Sequence, residues 1–259
     1  MAKRRGSPLD DIVVLMPWAE LGYQIYHAAL AANPDYGYLI NQGRVFPGLG
    51  GYTHSNPQTL LAGALRGTIN FHDVPRFKRV VWLEHDHTFP ADVFQRLATY
   101  TKPYVSGLYV LRDSAEPLPV IYKWSDNRQA AVMYNAEELE AMGIFDDDLD
   151  SPRRGLHKVD VVPMGCLSVA REVYDQWPPD RPFFSSGTSP NGTTIGHDVF
   201  ACRVAQDAGW PIYIDTSLRV MHYGLIPLDD SFFKRWYQMV RLPQVLQEAQ
   251  EKPKLEVVS

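Results

Sequence analysis

Val80-Val81-Trp82-Leu83-Glu84-His85-Asp86-His87-Thr88-Phe89-Pro90 decides how this chain is read. Four apolar residues in a row predict a strand buried on both faces, as in a parallel sheet. Two acids and two histidines follow at once, and Pro90 opens an expected helix over 91–100. In open α/β sheets ligands bind just beyond the carboxyl ends of the strands. Carboxylates and imidazoles packed this closely are suited to sharing a cation such as Mn²⁺ or Mg²⁺. The stretch alone leaves a metal hydrolase, a nucleotide enzyme and a plain turn open.

Working toward the N-terminus, 11–16 reads as a first strand closed by Pro17, and 21–32 carries helical periodicity. Tyr36 to Ile40 reads as a second strand ending at Asn41, and Phe46 to Gly51 as a glycine-rich flexible loop. Asn56 is the expected N-cap of a helix through Leu65. This alternation predicts an α/β fold with a mostly parallel central sheet flanked by helices.

Working toward the C-terminus, strands are expected at 104–110, 119–124, 159–163, 210–214 and 217–221. Residues 125–157 read as a surface excursion, and 185–196 as a long Ser, Thr and Gly loop of the binding-lid kind. A helix is expected from His197-Asp198 to Ala208, and a last amphipathic one over 230–245. The expected division is a disordered tip (1–10), one domain (11–228), and a helix with a polar tail (229–259).

The chain has 259 residues, 45% of them hydrophobic, enough for a sizeable core. A formal charge of −5 argues against a general nucleic-acid binder. No run reaches membrane-span length, and Asp10-Asp11 interrupts any leader-like start. The cysteines, Cys166 and Cys202, lie in apolar surroundings without metal-ligand spacing, which fits a cytoplasmic protein.

Three segments taken together carry a resemblance. Val81 to Asp86 resembles the strand and DxD motif of the GT-A glycosyltransferases, with Glu84 in place of the first Asp. Met164-Gly165-Cys166-Leu167-Ser168-Val169 followed by Arg171-Glu172-Val173 resembles that family's "G-x-x-L" strand and the helix after it. His197-Asp198-Val199-Phe200, then Gly209-Trp210-Pro211, resembles its "E-D-x-x" helix and following strand, with His197 replacing the Glu. The resemblance spans 11–224, is closest to the family 2-like members, and implies a Rossmann-like GT-A domain.

It also implies a metal-assisted transfer from a UDP-, GDP- or dTDP-sugar to an acceptor glycan, protein or small molecule. Asp86 and His222 are the implied metal ligands, with Glu84 at the ribose or a metal-bound water. His85 is placed with the cofactor. Strand alternation puts His85 and His87 on the face opposite the two acids and makes them packing or supporting groups. Pro17, Trp18, Asn41 and Asn56 are candidates for the nucleotide, and Gly107, Tyr109, Gly165 and Cys166 for the donor sugar. Asp198 is the implied base of an inverting transfer, with His197 as the alternative. Two rival functions are a nucleotide-sugar-binding module without turnover and a sugar nucleotidyltransferase. The second lacks support, since Trp18-Ala19-Glu20-Leu21 carries no basic residue.

Overall fold

The computed structural model describes residues 6–17, 30, 33–48, 55–111, 117–188, 194–223 and 227–245. Its centre is a seven-stranded sheet. The strands are β1 (Ile12–Pro17), β2 (Val45–Gly48), β3 (Arg79–Leu83), β5 (Tyr104–Leu108), β6 (Leu156–Val159), β7 (Cys166–Ala170) and β8 (Ile212–Arg219). Across the sheet they run β6, β8, β5, β7, β3, β1, β2. β1, β2, β3, β5 and β8 share one direction; β6 and β7 run against it. A second, three-stranded sheet joins β4 (His87–Thr88), β9 (Met221–Tyr223) and β10 (Pro227–Leu228).

β1 and β3 are buried along their whole length. Alternate residues divide between two cores, because successive side chains point to opposite faces. Val13, Leu15, Val80 and Trp82 face one side, where Leu60, Leu61 and Ala64 of α2 (Ser55–Arg66) pack. Ile12, Val14, Met16, Val81 and Leu83 face the other. There they meet Tyr36 and Leu39 of α1 (Pro34–Asn41) and Val93, Phe94 and Leu97 of α3 (Val93–Thr99). Each fully buried aliphatic side chain contributes about 2 kcal/mol relative to exposure.

Several expectations are corrected. Tyr36 to Ile40 is helix, not strand. Asn33 accepts from the Asp35 backbone N–H, Pro34 occupies the first turn, and Tyr36 and Leu39 share the buried face. The aromatic, β-prone residues mimic a strand, but the cap and the spacing of three decide. The true second strand, β2, overlaps the expected 46–51 loop and starts one residue before it. It is an edge strand, where Pro47 is tolerated.

The strand expected at 159–163 is replaced by β6 and by the reversed β7. Two strands expected over 210–221 are one, β8, with a register shift between Asp215 and Arg219. The excursion at 125–157 is not confined to the surface: Leu139, Met142 and Ile144 are buried in the main core. The expected lid contains a short hairpin, Gly187–Thr188 with Thr194–Ile195. At the start of the chain Ser7 caps a 3-10 turn, Pro8–Asp11, and Leu9 is buried, where disorder was expected. The helix expected at 21–32 lies, Leu30 excepted, outside the described residues.

Buried ion pairs tie the C-terminal helix α7 (Asp230–Trp236) to this body. Arg154 meets Asp230 at 2.9 Å, both almost fully buried, and Arg219 also contacts Asp230. Arg154 further donates to the Thr216 and Asp146 carbonyls.

Candidate metal centre

β3 ends at Leu83, opposite Cys166 at the start of β7. The Glu84 N–H still reaches the Gly165 carbonyl (3.1 Å), and then the chain turns. β4 begins at His87 and pairs antiparallel with β9, which sets His87 directly across from His222. The Tyr223 N–H closes the turn on the Asp86 carbonyl (2.7 Å). These pairings collect Asp86, His87 and His222 at the carboxyl rim of β3, all three buried. One ligand atom from each lies within 4.8 Å of the others.

Asp86 spans both imidazoles. Its Oδ1 is 2.8 Å from His87 Nδ1, and its Oδ2 is 3.4 Å from His222 Nε2. The rings stack, with centroids 4.2 Å apart and planes 9° from parallel. His222 Nδ1 lies 2.8 Å from the Val110 carbonyl, which only accepts, so Nδ1 is the donor. In the neutral tautomer Nε2 then presents a lone pair to the Asp86 carboxylate. Two acceptors face each other and require a proton or a metal cation between them. Burial alone would raise the Asp86 carboxyl; with protons on the imidazole nitrogens that face it, hydrogen bonds from His222 and His87, and their charge, hold it well below the usual carboxylate range.

Tyr109 supports the pair. Its ring meets His87 edge-on at 4.4 Å and His222 at 5.3 Å. Its hydroxyl accepts from the Gly165 N–H at 3.0 Å. A Cβ on Gly165 would come within 2.6 Å of His87 Cε1 and 2.7 Å of the Tyr109 hydroxyl, so only glycine fits there. Burial raises the Tyr109 hydroxyl well above its ordinary value, and the charges of Glu84 and Asp198 add to this.

Two imidazoles and one carboxylate suit Mn²⁺, Fe²⁺ or Zn²⁺ better than Mg²⁺, which prefers oxygen donors. Three protein ligands leave coordination positions for a further oxygen ligand.

The other expected residues are placed as follows. Glu84 is half-buried, just before the turn, and outside the ligand group. His85 is buried. Gly107 and Cys166 face each other in the apolar core: a Cβ on Gly107 would meet Val220, Leu218 and Cys166 at 3.0–3.2 Å. Pro17 ends β1, buried at the same rim as the metal group. Asn41 is corrected. It ends α1 just ahead of β2, so it stands at the amino rim, where Tyr38 also bonds Asp10. Asn56 is the second residue of α2, not its cap. Its side chain and all of Trp18 lie outside the described residues.

His197 and Asp198 open helix α6 (His197–Asp207). Asp198 Oδ1 accepts from the Val199 N–H at 2.8 Å, and Gly196, lacking a Cβ, leaves room for the carboxylate. The His197 ring stands edge-on to Phe184 at 6.1 Å.

Face alternation makes His87 a packing or supporting group, whereas the structure brings it into the candidate ligand group, because alternation stops where β3 ends and the turn resets the direction of the side chains. The adjacent Asp86-His87 pair was the available signal.

No family model matches the chain, and no curated protein does. Among solved structures it is similar to A197 from STIV, with a TM-score of 0.46 and 12% identity over 83% of this chain and 86% of that one. That likeness is too distant to carry an argument about function. No described helix is long and apolar enough to cross a membrane.

Proposed function

We propose that the protein is a GT-A-like glycosyltransferase that takes a sugar from a nucleotide-sugar, with a divalent cation held by Asp86, His87 and His222. One observation carries this reading. Asp86 and His222, 136 residues apart in sequence and both expected to bind one cation, meet at the carboxyl rim of the sheet. The donor set favours Mn²⁺ over Mg²⁺. When bound, the cation offsets charge developing on the leaving diphosphate.

The chain's own residues supply the rest. Asp86 fixes both imidazoles, and the Val110 carbonyl sets the His222 tautomer so that Nε2 faces the site. Tyr109 and Gly165 hold the rings from behind. Asp198, at the start of α6, is the base that takes the acceptor hydroxyl proton in an inverting transfer.

The test is release of nucleoside diphosphate from UDP-, GDP- and dTDP-sugars with and without Mn²⁺. Turnover should require Mn²⁺ and vanish in Asp86→Ala. In Asp198→Asn donor binding should survive while transfer is lost. Binding without turnover in the parent protein would reduce the reading to a nucleotide-sugar-binding module, and absence of both would overturn it. A product with retained anomeric configuration would remove Asp198 from the role of base.

A further inference from the structure

The hairpin that follows α2 pairs Thr68–Ile69 with His72–Asp73 and leaves Asn70 and Phe71 as a two-residue turn. Both have positive φ, 48° at Asn70 and 68° at Phe71, which is the geometry of a type I′ turn. Asn suits the first position. The second is usually Gly, and a bulky ring held there is a costly outlier. Phe71 does not offset that cost by packing on its own chain, since it is fully exposed. Backbone strain of this kind collects at contact sites, where a partner compensates for it.

A cavity of about 540 Å³ opens beside the ring, within the roughly 300–1,000 Å³ usual for binding pockets. Val45, Phe46 and Pro47 of the edge strand β2 line it, and so do Ile69 and His72 on either side of the turn. We propose that two copies of this chain associate about a two-fold axis, with Phe71 of each seated in this cavity of the other.

A two-fold interface must be its own complement. This face meets the condition in shape, because it carries both a protruding apolar ring and a cavity with apolar lining. It meets the condition in charge as well. Asp73 lines the cavity, and the exposed Arg76 follows it, with its carbonyl accepting from the guanidinium of Arg44, the neighbour of Val45. The two-fold axis sets the acid of one copy against the guanidinium of the other. A lipid surface would take the ring but has no shape to fill the cavity, and Asp73 would repel nucleic-acid phosphates.

The ring is also presented rigidly. Ile69 is buried in the main core, and α2 approaches it so closely that a Cβ on Gly63 would stand 2.9 Å from its side chain. Little conformational freedom is then lost on association. The pairing does not depend on the transferase reading.

Sedimentation equilibrium of the intact protein across roughly 1–200 µM, a range suited to a small interface, tests the proposal. The parent should pass from monomer to dimer. Phe71→Gly gives the turn its preferred residue and removes the ring, so the chain should stay folded by circular dichroism while its dimer weakens about thirtyfold or more. Phe71→Tyr should keep the association. Pro47→Glu, which puts a charge in the cavity wall, should weaken it as Phe71→Gly does. A parent that stays monomeric would overturn the proposal, as would undiminished association of folded Phe71→Gly or Pro47→Glu. Assembly beyond the dimer would mean head-to-tail insertion and overturn the closed pair. A monomeric parent that binds phosphatidylcholine vesicles, and fails to in Phe71→Gly, would overturn it by assigning the ring to lipid.

Discussion

His87 and His222 sit directly opposite each other in the β4–β9 ladder, with their imidazoles stacked 4.2 Å apart and Asp86 bonded to both. Neither ring reaches this position through its own strand alone. The ladder brings them together, and the carboxylate sets the spacing. The energetic consequence is a buried polar group whose three members depend on one another.

The first prediction concerns metal. His87→Ala should weaken Mn²⁺ binding as severely as His222→Ala, by about a hundredfold or more. If His87 only supports the site by packing, His87→Phe should bind Mn²⁺ normally. Manganese titration followed by electron paramagnetic resonance distinguishes the two.

A second prediction concerns Gly165. A methyl group there overlaps His87 and the Tyr109 hydroxyl. Gly165→Ala should cost about 1–3 kcal/mol of stability and also lower Mn²⁺ affinity. Gly187→Ala, where a Cβ meets nothing within 4 Å, is the control and should change neither. Urea unfolding and metal titration of both variants check this.

The third prediction is a pH dependence. Burial would raise the Asp215 carboxyl, but hydrogen bonds from Ser217 and Tyr100 and the Arg96 charge lower it below its ordinary value. The unfolded chain therefore binds the proton more tightly, and stability from this group rises with pH. It is complete above the unfolded carboxylate value of about 3.9 and is lost as pH falls toward the folded value. Asp215→Asn should cost about 1–2 kcal/mol at neutral pH, since Arg96 and Tyr100 lose a charged acceptor while Arg96 keeps Ser217, and should flatten the acid limb of stability against pH. An unchanged acid limb would show that other carboxylates govern acid unfolding.

The fourth prediction concerns the anchor of α7. Asp230→Ala leaves Arg154 buried without its counter-charge and should cost about 3–5 kcal/mol. Replacing both, Arg154→Met with Asp230→Leu, should recover much of the loss. A mild effect of the single variant in chemical denaturation would mean that the Thr216 and Asp146 carbonyls suffice for Arg154.

Much of this architecture was legible locally. The run from Val80 to Leu83 lies in a buried strand that takes in only Arg79 besides, because an apolar run bounded by polar residues reports its own burial. Asp86 and His222 were implied by the family resemblance, and each follows an apolar strand, which places it at a rim. Tyr36 to Ile40 shows the limit: β-prone residues were outweighed by a cap and a buried helical face.

By itself, then, the sequence determined the α/β alternation and the buried strand β3, since these depend on short runs and spacings, and it marked Asp86 as a rim residue. The tertiary structure decided the rest. It reversed β7 against its neighbours, because strand direction depends on the path the chain takes between strands. It moved Asn41 to the far rim, because a helix returns the chain across the sheet. It brought His87 to Asp86 and His222, because side-chain alternation resets at a turn and a ladder partner more than a hundred residues away fixes where the ring points.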